Sequence, residues 1–162
     1  MKKYSIFVVL VVLIALVWLF RTRLPFISTT SETKSNIVTT SPELATLAKK
    51  VGGEYVTVQT LFNGSQSALQ EPNEKQKESI RNADAFMYQG GETNGWADTL
   101  AGDLARQGVV VIKYRPAALA AESEKELNRM TADRLARVLE ILDIPHSQSF
   151  AQNAQAYIAT QQ

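Results

Sequence analysis

The chain has no cysteine and a single histidine among its 162 residues. The first absence excludes disulfides, thiolate metal sites and a cysteine nucleophile. It also excludes the lipid-modified cysteine that tethers many bacterial surface proteins, so any anchor must be peptide. Charge of one sign is equally scarce: 17 Lys+Arg against 16 Asp+Glu leave a net charge of +1. Nothing in that balance favours electrostatic capture of nucleic acid or of a strongly acidic partner. Arg106, Lys113 and Arg115 are not interleaved with stacking aromatics, so no nucleic-acid partner is expected. No internal repeat or low-complexity segment is present.

What the sequence does have is one long apolar run. Residues 4–20 (YSIFVVLVVLIALVWLF) contain no charge, proline or glycine and follow Lys2 and Lys3. At about 1.5 Å per residue a helix of this length spans roughly 25 Å, close to the hydrocarbon thickness of a bilayer. A cleaved signal peptide would end in small residues of the Ala-x-Ala kind. Phe20, Arg21, Thr22, Arg23 and Leu24 follow instead, so the expectation is an uncleaved transmembrane anchor over residues 1–24. The lysines at the amino terminus place it with a cytoplasmic N-terminus, making this a single-pass cell-membrane protein with an extracytoplasmic domain. Residues 25–35, rich in Ser and Thr, read as a flexible tether. Residues 36–162 leave room for one domain of about 120 to 130 residues.

Within that domain strands and helices alternate. Residues 36–40 (NIVTT) form a β-branched run, and Ser41-Pro42-Glu43 then supplies an N-cap, a proline at the first helical position and an acid in the first turn. Leu44, Leu47, Ala48 and Val51 recur at helical spacing up to Gly52-Gly53. Further strands are predicted at 55–61, 85–88 and 109–113, with helices at about 73–82, 96–106, 130–142 and 149–160. Alternation of this kind requires parallel pairing through right-handed crossovers. The successive apolar residues of 109–113 (VVVIK) suit a strand covered on both faces. The fold class is therefore α/β, a small doubly wound, mostly parallel four-stranded sheet with flanking helices, preceded by one transmembrane helix. Val38, Val58, Phe86 and Val110 are the expected central apolar strand positions.

Glu71, Asp84, Glu92 and Asp98 lie at or near strand ends, where α/β domains place their sites. No histidine, cysteine or lysine is spaced to form a dyad with them, so catalysis is not expected. The Gly90 to Gly95 stretch lacks the Gly-Lys-Ser/Thr ending of a phosphate loop and reads as a strand-to-helix turn. His146, in Asp143-Ile144-Pro145-His146, has only Asp143 nearby and is expected to be a solvated loop residue.

Read in order, IVTTSPELATLAKKVGGEYVTVQTLFNG and EPNEKQKESIRNADAFMYQGGETNGWADTL resemble the N-terminal lobe of the ZnuA/TroA-like receptors of zinc and manganese ABC importers. The resemblance rests on the opening strand and helix with Gly52-Gly53, on Glu71-Pro72, on Asn82-Ala83-Asp84 before a strand, and on Gly91-Glu92 to Trp96. Leu135, Leu142, Pro145, Asn153, Ala154 and Tyr157 fall where that family's connecting helix and Asn-Ala-x-x-Tyr tail would lie. It covers about residues 36–160, with a gap near 120–128. What it implies is a solute-binding component rather than an enzyme, working with an ABC permease.

The departures concern the ligands. Such receptors hold the ion with imidazoles and carboxylates from two lobes, and zinc or manganese needs about four converging donors. Where the family has a histidine in Gly-x-Asp-Pro-His-x-Tyr-Glu-Pro, this chain has Ala68 in Gly64 to Pro72. The family's Asp-Pro-His-x-Trp segment has no counterpart between Glu122 and Met130. No metal, cofactor or catalytic residue is therefore assigned; zinc or manganese is expected only if a partner chain, such as a separate C-lobe, supplies ligands. Two readings stay open: a receptor-type importer component degenerate in metal binding, and a membrane-tethered protein-interaction module that keeps the lobe fold without an ion.

Overall fold

A β-branched run closed by a serine cap commits the chain to strand, turn and helix in quick succession, and each unit is followed by another of the same kind. The computed structural model of the chain describes residues 34–63, 70–90, 95–115 and 123–161. Strands β1 (Ser35–Thr39), β2 (Val56–Thr60), β3 (Ala85–Gly90) and β4 (Val110–Arg115) alternate with helices α1 (Pro42–Gly52), α2 (Glu74–Arg81) and α3 (Gly95–Arg106). Helices α4 (Glu124–Leu142) and α5 (Ser147–Ala159) complete the chain, joined by a 3-10 turn at Ile144–His146. The expected anchor over residues 1–24 lies outside the described residues. Among the described residues, no helix is long and apolar enough to cross a membrane.

The sheet has the order β2-β1-β3-β4, all parallel. Alternation across the pleat divides its side chains between two cores. Ile37, Ala85, Met87, Ile112 and Tyr114 pack under α1, α4 and α5 with Leu47, Leu135, Leu139 and Phe150. Val38, Phe86 and Tyr88 face the other way, toward Ile80 of α2 and Leu104 of α3. Helices on both faces make the sheet doubly wound.

Local chemistry sets the element ends. The Ser41 side chain accepts from the Leu44 backbone N–H with Pro42 beside it. Asn73 and Gln76 form a reciprocal capping box at the start of α2. After α1, Gly53 takes a φ of +59° and its N–H closes on the Lys49 carbonyl, a helix end that a side chain would strain. Asn153 of α5 donates from Nδ2 to the Val51 carbonyl at 3.1 Å, binding the last helix to the end of the first.

Three expectations need correction. Val110 was expected to be a central strand position, yet β4 is an edge strand and Val110 is only half-buried, although both faces of residues 109–113 are covered, with Ile112 in one core and Val109 in the other. Val58, on the opposite edge, is half-buried as well. An all-apolar run does not reveal a strand's place in the order, and the central strands are β1 and β3, where Val38 and Phe86 are fully buried. The helix expected from 130 begins at Glu124, because Ser123 accepts from the Glu126 N–H and Leu127 is buried a turn before the apolar stripe becomes obvious. His146 is not a solvated loop residue, since its side chain is only 21% exposed. Its ring stacks on Tyr55 at 3.8 Å between centroids, and Nδ1 lies 2.8 Å from the Asp143 carboxylate.

Candidate functional site

In a parallel doubly wound sheet the crossover helices return along the faces, so the strands' carboxyl ends and the loops after them gather on one edge, where ligands bind. Here the switch point lies between β1 and β3, one leading to α1 on one face and the other to α3 on the opposite face. Thr39, Thr40 and Ser41 are buried at this point. They tie it down: Leu61 N–H donates to the Thr39 carbonyl at 2.8 Å, Thr40 N–H to the Met87 carbonyl at 3.0 Å, and Gln89 N–H to the Thr40 hydroxyl at 3.3 Å. The expected ligand-bearing position Ala68 and the acid Glu92 lie outside the described residues, as do 91–94 and 116–122.

The best-defined polar cluster on this edge is Tyr88, Asp98 and Lys113. Tyr88 of β3 and Lys113 of β4 are register partners, so their side chains stand side by side on the α3 face. Asp98, in the first turn of α3, reaches down to both. Lys113 Nζ donates to both Asp98 oxygens at 2.8 Å, and the Tyr88 hydroxyl donates a very short hydrogen bond to Oδ1. The ammonium also lies 5.7 Å from the centre of the Tyr88 ring. Gly90 makes room for this arrangement: its φ is +79°, and a Cβ there would come within 2.7 Å of both the Arg115 carbonyl and the Lys113 side chain.

The electrostatics follow. Lys113, then the Tyr88 hydroxyl, hold the Asp98 carboxyl below its ordinary range, against a smaller opposing effect of burial. Burial, reinforced by the neighbouring carboxylate, pushes the Tyr88 phenol well above its ordinary value. Asp98 is therefore a carboxylate and Tyr88 a neutral donor at neutral pH. The ammonium occupies the bidentate position that a cation would need.

The other candidate acids do not join this cluster. Glu71 is exposed before α2. Asp84 precedes β3 and so sits at the opposite, amino-terminal edge, where its carboxylate accepts from the Asn36 N–H at 2.7 Å. His146 is also at that edge, beside Tyr55. Among the described residues no group of three or more His, Cys, Asp or Glu is placed to hold a metal ion. The expectation that no lysine forms a dyad with the acids was wrong for Lys113. Its signal was present in the sequence, since Tyr88 and Lys113 are polar-tipped residues near the ends of apolar strands, but their pairing depended on a register that only the fold supplies.

Residues 37–162 match the family model described as zinc-uptake complex component A, periplasmic (ZnuA). A comparison with curated protein sequences finds no significant match. Among solved structures, the chain is similar to Zn(II)-bound AdcA from Streptococcus pneumoniae, with 23% identity and a TM-score of 0.66, covering 79% of this chain and 30% of that one. The ZnuA-like domain of the same protein gives 24% identity and 0.66 over 79% of this chain and 52% of that chain. The laminin-binding protein Lmb of Streptococcus agalactiae, described as having adhesin and metal-transporting activity, gives 21% and 0.66 over 80% of this chain and 53% of that one. At such identities the likeness establishes the fold, and the chain spans about half the length of Lmb and of the ZnuA-like domain. The family model covers most of the chain and the parallel four-stranded lobe agrees with it: this protein belongs to the ZnuA family of extracytoplasmic solute-binding proteins, which are not enzymes.

Proposed function

We propose that this chain is a membrane-anchored, extracytoplasmic component of a zinc- or manganese-type ABC importer, whose lobe does not hold the ion by itself. The observation that carries the second half of this reading is the Asp98–Lys113 pair, with both carboxylate oxygens taken by one ammonium at 2.8 Å. A cation approaching this edge must displace Lys113 and the Tyr88 hydroxyl, and no imidazole among the described residues stands beside Asp98 to offset that cost. Ala68, where the family's motif carries a histidine, supports the same conclusion from the sequence. In this role the lobe works with an ABC permease, and the donors for an ion come from a separate chain or from sequence beyond these residues. A neutralised carboxylate also favours the second reading, a tethered module that keeps the lobe to bind a protein.

Calorimetric titration of the solubilised full chain with zinc at neutral pH tests the degenerate site, with His146→Ala as the control for adventitious imidazole binding. The expected result is binding no tighter than that of an ordinary protein surface. A sub-micromolar affinity, about 8 kcal/mol or more of binding free energy, overturns it.

A further inference from the structure

The edge of the sheet opposite the candidate site carries a feature that solute binding does not use. Helix α4 runs antiparallel to the strands and ends at this amino-terminal edge. The contacts fix the placement: His146, just past α4, stacks on Tyr55, the residue before β2, and β2 begins in register with β1 at Ser35↔Val56. At this end of α4 and in the turn after it, Ile141 is 77% and Ile144 73% exposed, the two most exposed large hydrophobic side chains among the described residues, with Leu142 between them at 39%. Helix α1 also runs down to this edge, and its last turn presents Lys49 and Lys50, both exposed. Neither forms an ion pair among the described residues, in contrast to Lys77, Arg81, Arg106, Arg129 and Arg137, which all do. Exposed Lys34 precedes β1 at the same edge, where the exposed acids are Glu54 and Asp84, the latter's carboxylate accepting from the Asn36 N–H.

Exposed isoleucines that share an edge with lysines forming no ion pair among the described residues match the two components of a bilayer surface, an apolar boundary and anionic headgroups. The course of the chain favours this occupant. The polypeptide reaches the lobe at this edge through residues 21–34, which follow the apolar run and can extend to at most about 50 Å. We infer that the amino-terminal edge of the sheet is a membrane-facing surface: Ile141 and Ile144 enter the headgroup boundary of an anionic bilayer, Lys34, Lys49 and Lys50 contact its phosphates, and the carboxyl edge is turned away from the lipid. This inference rests on the proposed anchor.

The absence of cysteine makes a direct test available. Single-cysteine variants Ile144→Cys and Thr160→Cys are labelled with a fluorophore in the full chain and reconstituted into lipid nanodiscs with or without anionic lipid. Thr160 follows α5 at the carboxyl edge, near the Asn128–Gln161 hydrogen bond. In anionic discs the label at position 144 is expected to be shielded from a water-soluble quencher several-fold more than the label at 160. Adding Lys49→Gln and Lys50→Gln should weaken the surface equilibrium about fivefold for each lysine, and zwitterionic lipid or high salt should weaken it as well. Equal quenching at the two positions in anionic discs, with the chain inserted, overturns the membrane-facing surface and leaves the anchor standing. Failure of the chain to insert overturns the anchor, and the inference with it. Shielding at 144 in native membranes but not in pure lipid discs assigns the patch to a protein partner and overturns the lipid assignment.

Discussion

At the scale of single residues, Asp98 shows how a carboxylate at the carboxyl edge of a parallel sheet serves as a structural ion. Its partners Lys113 and Tyr88 come from adjacent strands, so the cluster joins β3, β4 and α3 at their open end. Because the folded carboxyl is held below an unfolded value of about 3.9, its contribution is present above that pH and is lost as pH falls through the folded value. Asp98 is 43% exposed, so solvent screening limits the gain to about 1 kcal/mol or less. Asp98→Asn is therefore expected to lower urea stability by about that amount at pH 7 and by progressively less as pH falls below the ordinary carboxylate value, where the unfolded carboxyl takes up its proton first. Equal losses across that range would show that packing of the side chain matters and its charge does not.

At the scale of elements, position in the strand order decides what an apolar residue contributes. Phe86, on central β3, is fully buried and stacks against Tyr88 at 5.6 Å between ring centroids, while Val110 on edge β4 is half-buried. Phe86→Ala is expected to cost about 3 to 5 kcal/mol, a large share of a domain's stability, whereas Val110→Ala should cost about 1 kcal/mol. Chemical denaturation of the two variants checks the ranking, and a larger loss at Val110 would contradict the strand order. The sequence made much of this architecture legible. Apolar runs and helical spacing located the four strands and five α-helices of the described residues, and Ser41-Pro42 and Gly52-Gly53 bounded α1 through chemistry that is local. The start of α4 was missed because its first turns, Glu124 to Arg129, are polar apart from Leu127 and depend on the Ser123 cap for their signal. His146 was misjudged because Tyr55, its stacking partner, is remote in sequence and meets it only once α5 docks on α1. The same limit applies to the candidate site, where single residues were visible but the Tyr88–Asp98–Lys113 junction required a strand register and a helix position at once.

At the scale of the whole molecule, the two edges of one sheet divide the work under the proposed reading. The carboxyl edge carries Asp98 with both oxygens taken by Lys113, and the amino-terminal edge carries the exposed isoleucines and lysines where the chain arrives. A receptor lobe that does not hold its ion alone depends on being kept beside its partners, which raises the importance of the apolar run at residues 4–20. That run is long enough to span a bilayer, and no small-residue cleavage site follows it, so the protein is expected to remain in the membrane fraction at its full mass of 17.9 kDa. Mild detergent extraction followed by affinity purification should then recover an ABC permease with it, as expected for an importer component. Intact-mass spectrometry separates the alternatives. A chain beginning anywhere from 21 to 35 would mean that the run is a signal peptide and the lobe is released, whereas an intact, membrane-bound chain that recovers other proteins but no permease would favour the tethered interaction module.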